Sequence, residues 1–178
     1  MVFAPCKMRL ESPAFQQLDR IPAKHTGEGA DVSPALQWSD VPDGTRAFAL
    51  ICHDPDAPVL SGGSYGFVHW VLYNIPGSVT KLAEGTKDFT NGKTGFGKQA
   101  YGGPMPPPGH GTHHYYFWLI ALSQETALEP GLTLAQLLER RHALLELEVG
   151  PFFVGPEGFG HDAVGAEHEG FAARDFDG

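Results

Sequence analysis

The chain has 178 residues, of which 42% are hydrophobic, and a formal net charge of −9. That length suits one domain with one core, and no apolar run approaches the roughly 18 residues that a membrane-spanning helix needs. The acidic balance argues against an electrostatic grip on nucleic acid or an anionic bilayer, which demand a basic face, and two cysteines, Cys6 and Cys52, are too few for a disulfide framework or a thiolate zinc site.

Met1 to Met8 lacks the charged start and apolar stretch of a secretory signal, so the cytoplasm is the expected location. Residues 12–20 have the composition of a short helical turn. Three segments, 46–53, 67–74 and 115–122, are short, rich in aromatic and branched residues, and bounded by Gly, Pro or Asp, which predicts strands. Ala47-Phe48-Ala49-Leu50-Ile51 and Tyr116 to Leu122 are nearly continuous in apolarity, as expected of strands covered on both faces.

A helix is predicted over 134–148. Thr133 and Gln136 form a capping-box pattern after Pro130-Gly131, and Leu134, Leu137, Leu138, Leu144 and Leu145 mark a buried stripe. Beyond Gly150 six glycines, two prolines and scattered phenylalanines replace this pattern. Six acids stand there against Arg174 alone, so this stretch carries −5 of the −9. The expected organisation is a domain over 1–150 and an acidic extension over 151–178 that cannot build a core by itself, although Phe152, Phe153, Phe159, Phe171 and Phe176 can pin it to the domain or to a second copy.

Chemistry concentrates in Gly103-Pro104-Met105-Pro106-Pro107-Pro108-Gly109-His110-Gly111-Thr112-His113-His114-Tyr115. Prolines fix φ and remove backbone donors, glycines open the backbone to close approach, and histidines hold or share protons near neutral pH. Period-two geometry puts His113 and Tyr115 on one face and His114 on the other. Cys52-His53-Asp54-Pro55-Asp56-Ala57-Pro58 and His69-Trp70 add two carboxylates and further imidazoles at strand ends.

Together with Asp31-Val32-Ser33-Pro34-Ala35-Leu36-Gln37-Trp38, these segments resemble, in order over roughly residues 8 to 150, the phosphatidylethanolamine-binding protein family in its bacterial and archaeal Raf-kinase-inhibitor-like branch. The resemblance implies a mainly β fold: a Greek-key antiparallel sheet, a second small sheet and a peripheral C-terminal helix. It implies a non-enzymatic, cofactor-free binding protein with an anion pocket for phosphate or a phosphorylated head group such as phosphoethanolamine, with a kinase or protease as a protein target and a homodimer as one assembly. Carried over position by position, the pocket residues are Asp54, Asp56, His69, His113 and Tyr115, with Pro55, Pro58, Trp70, Gly103, Pro106 and Pro107 as walls. Donors to the anion would be His69 and His113, each pushed toward its protonated form by a neighbouring carboxylate, with Tyr115 and free backbone N–H groups of the glycine-opened loop. One departure stands out: relatives commonly carry His-Arg-Tyr where this chain has His113-His114-Tyr115, so a titratable ring replaces a fixed cation.

Plainer readings compete. His69, between Val68 and Trp70, also fits a satisfied core histidine, and Asp54 and Asp56 also fit ordinary turn residues. His110-x-x-His113-His114 brings three imidazoles together, but adjacent strand residues point apart and no Cys pair or HExxH accompanies them, so no metal is expected. Ser61-Gly62-Gly63-Ser64 lacks the setting of a nucleophile elbow, and Gly95-Phe96-Gly97-Lys98 is no phosphate fingerprint. The alternative function is a small-molecule hydrolase, lyase or cyclase using the same His and Asp groups for acid–base chemistry.

Overall fold

The computed structural model describes residues 7–58, 66–141 and 146–157, the last segment through its backbone. Its strands are β1 (Arg9–Glu11), β2 (Leu36–Ser39), β3 (Ala47–Asp54), β4 (Phe67–Pro76), β5 (Lys81–Leu82), β6 (Thr90–Asn91), β7 (His113–Leu122) and β8 (Glu146–Glu157), with a helix α1 (Leu134–Arg141) between the last two. A single 3-10 turn, Ala23–His25, follows β1. Residues 12–20 hold turns and bends where a helical turn was expected.

The strands form two antiparallel sheets, ordered β1-β2-β5 and β6-β4-β3-β7-β8. In the larger sheet β3, β4 and β6 follow one another outward, and β7 returns across a long connection to the free edge of β3, which is the Greek-key order. β3 is therefore central, hydrogen-bonded to β4 on one side and β7 on the other.

Both faces of β3 are apolar because both are covered. Phe48, Leu50 and Cys52 pack with Trp70, Leu72, Phe117 and Leu119 against Leu10, Leu36 and Trp38 of the smaller sheet. Ala47, Ala49 and Ile51 pack with Val71, Tyr73, Ile120 and Leu122 beneath Leu132 and Leu137, with Leu134 and Leu138 partly buried at the margin. The near-continuous apolar runs thus mark strands inside a three-layer stack of sheet, sheet and helix.

The capping box forms as the sequence requires: Thr133 N–H donates to Gln136 Oε1 at 2.9 Å, and Gln136 N–H donates to Thr133 Oγ1 at 3.3 Å. The helix ends at Arg141 rather than reaching residue 148, because Glu146, Glu148 and Val149 already pair with β7. Leu144 and Leu145 lie outside the described residues. The closing strand that the sequence did not reveal is β8, which crosses residue 150 and runs beside β7 from Leu122 to His113. Cooperative hydrogen bonding along an open strand edge outweighs helix propensity in this segment, which contains two Val and two Phe.

Candidate functional site

The candidate site lies where β3, β4 and β7 meet at the end of the larger sheet. Asp54 closes β3 and His113 opens β7, and both side chains are buried, with His113 Nδ1 donating to Asp54 Oδ2 at 2.7 Å. The other carboxylate oxygen, Asp54 Oδ1, accepts the amides of Asp56 (2.9 Å) and Ala57 (3.1 Å). Asp54 is therefore both the turn residue and the orienting group, and the two readings of it coincide. A carboxylate only accepts, so Nδ1 of His113 carries the proton of this bond.

His69 reaches the same face through an irregularity. Cys52 pairs with Trp70 but the next residue, His53, pairs with Val68, so β4 carries one extra residue here, His69. Bulges re-aim side chains beside functional sites. Although adjacent, Trp70 and His69 both turn toward Tyr115: Trp70 shares its core cluster, and the His69 ring stands edge-on to it at 5.2 Å. His69 Nδ1 donates to the Gly102 carbonyl at 2.7 Å, and the Gly102 amide donates back to the His69 carbonyl at 3.0 Å. Burial lowers the His69 pKa, against the opposing pull of the Gly102 carbonyl and the Asp54 charge. The expectation that a neighbouring carboxylate would drive this imidazole to its protonated form thus fails at His69, since desolvation outweighs the charge.

The other expected residues divide. Tyr115 is buried on the site's face. Asp56 turns outward to His114, accepting from its Nδ1 at 2.6 Å and its backbone N–H at 2.7 Å, so the ring that replaces a fixed cation keeps an ion-pair partner. Trp70 is committed to the core, donating from Nε1 to Asn91 Oδ1 at 3.1 Å. Pro55 and Pro106 are half-buried, and Pro58 and Pro107 are exposed. Gly103 is buried against the 23–32 loop: an added Cβ would lie 2.5 Å from the His25 carbonyl oxygen. Its amide donates to Asp31 Oδ1 at 2.6 Å. The Gly102 and Gly103 amides are both consumed within the fold and do not face an anion.

Three contributors were not singled out from the sequence. Asp31, at a left-handed φ of 53° that Asp tolerates, anchors the proline-rich segment through Gly103. Phe67 and Phe96 flank His69 at ring-centroid distances of 5.0 and 5.7 Å, and Phe96 is 43% exposed, giving the site an apolar margin. The hints were Asp31 at the head of one of the ordered motifs and Phe96 within a glycine-rich turn. Among the described residues no three metal-ligating side chains converge, as His113 and His114 point to opposite faces. A separate cleft of about 420 Å³, lined by Thr45, Arg46, Asn74, Glu125 and Thr126 among others, sits at the far end of β3 and contains no histidine.

A family model described as phosphatidylethanolamine-binding protein matches residues 11–149. A UPF0098 protein of Aquifex aeolicus is 42% identical over 131 residues, 70% of this chain and 74% of that protein. Among solved structures, Escherichia coli YbcL aligns with a TM-score of 0.77 at 30% identity, covering 86% of this chain and 99% of that one. CT736 of Chlamydia trachomatis aligns at 0.76 and 34%, covering 83% and 95%. With its ordered motifs, Greek-key sheet and small second sheet, the chain belongs to the phosphatidylethanolamine-binding protein family.

Proposed function

We propose that the chain is a binding protein whose pocket, formed by His69, His113 and Tyr115, takes phosphate or a phosphorylated small molecule. The observation that carries this reading is that two imidazoles on one sheet face each have Nδ1 tied to a protein acceptor, Asp54 or the Gly102 carbonyl. Their Nε2 atoms are then pre-oriented for one ligand, at little entropic cost on binding. Asp54 serves as the support of His113 and not as a ligand contact. In this reading any inhibition of a kinase or protease follows from pocket occupancy and surface contact, without chemistry or cofactor.

The same Asp54–His113 arrangement is that of a general base oriented by a carboxylate, which keeps a hydrolase, lyase or cyclase as the second reading. Turnover of a small ester or phosphoester that vanishes in His113→Asn would favour it.

The direct test is thermal unfolding, below about pH 6, with saturating phosphate or O-phosphorylethanolamine, for the parent and for His113→Asn, which can still donate to Asp54 but lacks Nε2. A ligand at about 100 times its Kd adds about 2.7 kcal/mol, a shift on the order of 5 to 10 °C in a domain of this size. That shift is expected in the parent and not in the variant. No shift in the parent with either ligand overturns the proposal.

A further inference from the structure

The hydrogen bonds that hold the two imidazoles also decide what kind of anion can sit between them. A carbonyl oxygen has no proton to give, so the 2.7 Å contact with Gly102 places the proton of His69 on Nδ1. The ring is only 4% exposed, and burial weakens its hold on a second proton. Among the described residues the hydrogen bond of this ring is the one made by Nδ1, and Nε2, which is not among the fully buried atoms without a partner, stays reachable from outside. The ring's edges are packed by Phe67, Phe96 and Tyr115 at 5.0, 5.7 and 5.2 Å, so it is not free to turn over and offer Nδ1 instead. At neutral pH His69 therefore presents a lone pair, an acceptor, to the pocket. An oxyanion whose oxygens all carry lone pairs meets repulsion there, whereas one that keeps an acid hydrogen can donate it.

Resting on the anion-pocket reading, we propose that this pocket selects oxyanions that still carry a proton, with a P–OH group donating to His69 Nε2. Inorganic phosphate as its singly protonated dianion qualifies, and so does a phosphate monoester once it is a monoanion, below about pH 6. Sulfate, of the same shape and charge as the phosphate dianion, does not. Nor does a phosphodiester, so the intact head group of a phospholipid is excluded while free phosphate is admitted. A site built around a donated hydrogen rejects analogues that lack it, because the acceptor that such an analogue covers is left unpaired.

The test is calorimetric titration of the full chain at pH 8 with inorganic phosphate, sulfate and glycerophosphorylethanolamine. Phosphate is expected to bind on the order of a hundredfold more tightly than either of the others. Equal affinity for phosphate and sulfate, or tight binding of the diester, overturns the proposal while leaving an anion pocket in place. Absence of binding by all three overturns the pocket reading as well. In His69→Gln the side-chain amide can rotate to give either an acceptor or a donor, so sulfate affinity should rise to within about tenfold of phosphate. An unchanged preference in a folded His69→Gln removes His69 as the selecting group. Should that variant not fold, the parent's phosphate-to-sulfate ratio alone still decides.

Discussion

His113 donates to Asp54 at 2.7 Å across two neighbouring strands although the two residues stand 59 positions apart in sequence, and both side chains are about 3% exposed. A pair this buried resists loss of one member, since the survivor keeps its desolvation cost without its partner. Asp54→Ala should therefore cost about 3 kcal/mol or more, visible as a lower denaturation midpoint, and Asp54→Ala/His113→Ala together should cost less than the sum of the single changes. Strict additivity would mean that the two do not stabilise one another.

The outward pair gives the contrast. His114 and Asp56 are 44% and 40% exposed, where solvent screens the charges, and such pairs contribute about 0.2 to 1 kcal/mol. Asp56→Ala should cost less than about 1 kcal/mol in the same denaturation assay. A loss as large as that from Asp54→Ala would contradict this division of labour.

Acid should destabilise the fold through His69. Its folded pKa lies below the ordinary value, so the unfolded chain binds the proton more tightly. Stability then falls as pH drops below about 6.5 toward the folded value, while above about 6.5 both states are neutral and the contribution is absent. In His69→Asn, which can keep a donor to Gly102 without titrating, the fall in melting temperature between pH 7.5 and pH 5 should be smaller than in the parent. Superimposable pH profiles would refute the assignment.

Cys52 is fully buried on the core side of β3, and burial together with the neighbouring Asp54 charge raises its thiol pKa well above the usual range. Thiolate is the reactive form, so in Cys6→Ser an aromatic disulfide reagent should label Cys52 no faster than the chain unfolds. Rapid labelling of the native protein would show a thiol open to solvent.

Asp31 should matter more as an anchor than as a charge. Asp31→Asn keeps an acceptor for the Gly103 amide and a residue that tolerates positive φ, so it should cost less than about 1 kcal/mol. Asp31→Gly relieves any backbone restriction but removes the 2.6 Å bond, and about 2 kcal/mol of stability should go with it. Chemical denaturation of the two variants separates these outcomes, and equal losses would point to charge.

The sequence by itself determined the β class, the family and the alternation of His113, His114 and Tyr115, because strand period, proline placement and ordered motifs are local properties of the chain. It also showed the capping box of the helix, whose two bonds join residues three apart. Only the tertiary structure decided which carboxylate met which imidazole: Asp54 and Asp56 are equivalent in pattern, yet the pleat turns one inward to His113 and the loop turns the other outward to His114. Only the structure decided that His69 shares a face with its neighbour Trp70, since the extra residue of β4 exists relative to β3 and not in β4 alone. The same is true of Asp31, which lies 72 residues from the amide it holds, and of β8, whose residues pair because β7 offers an open edge. Each of these depends on pairing between distant segments, and it is that pairing, with the burial it imposes, that ties Nδ1 of His69 and of His113 to an acceptor within the fold.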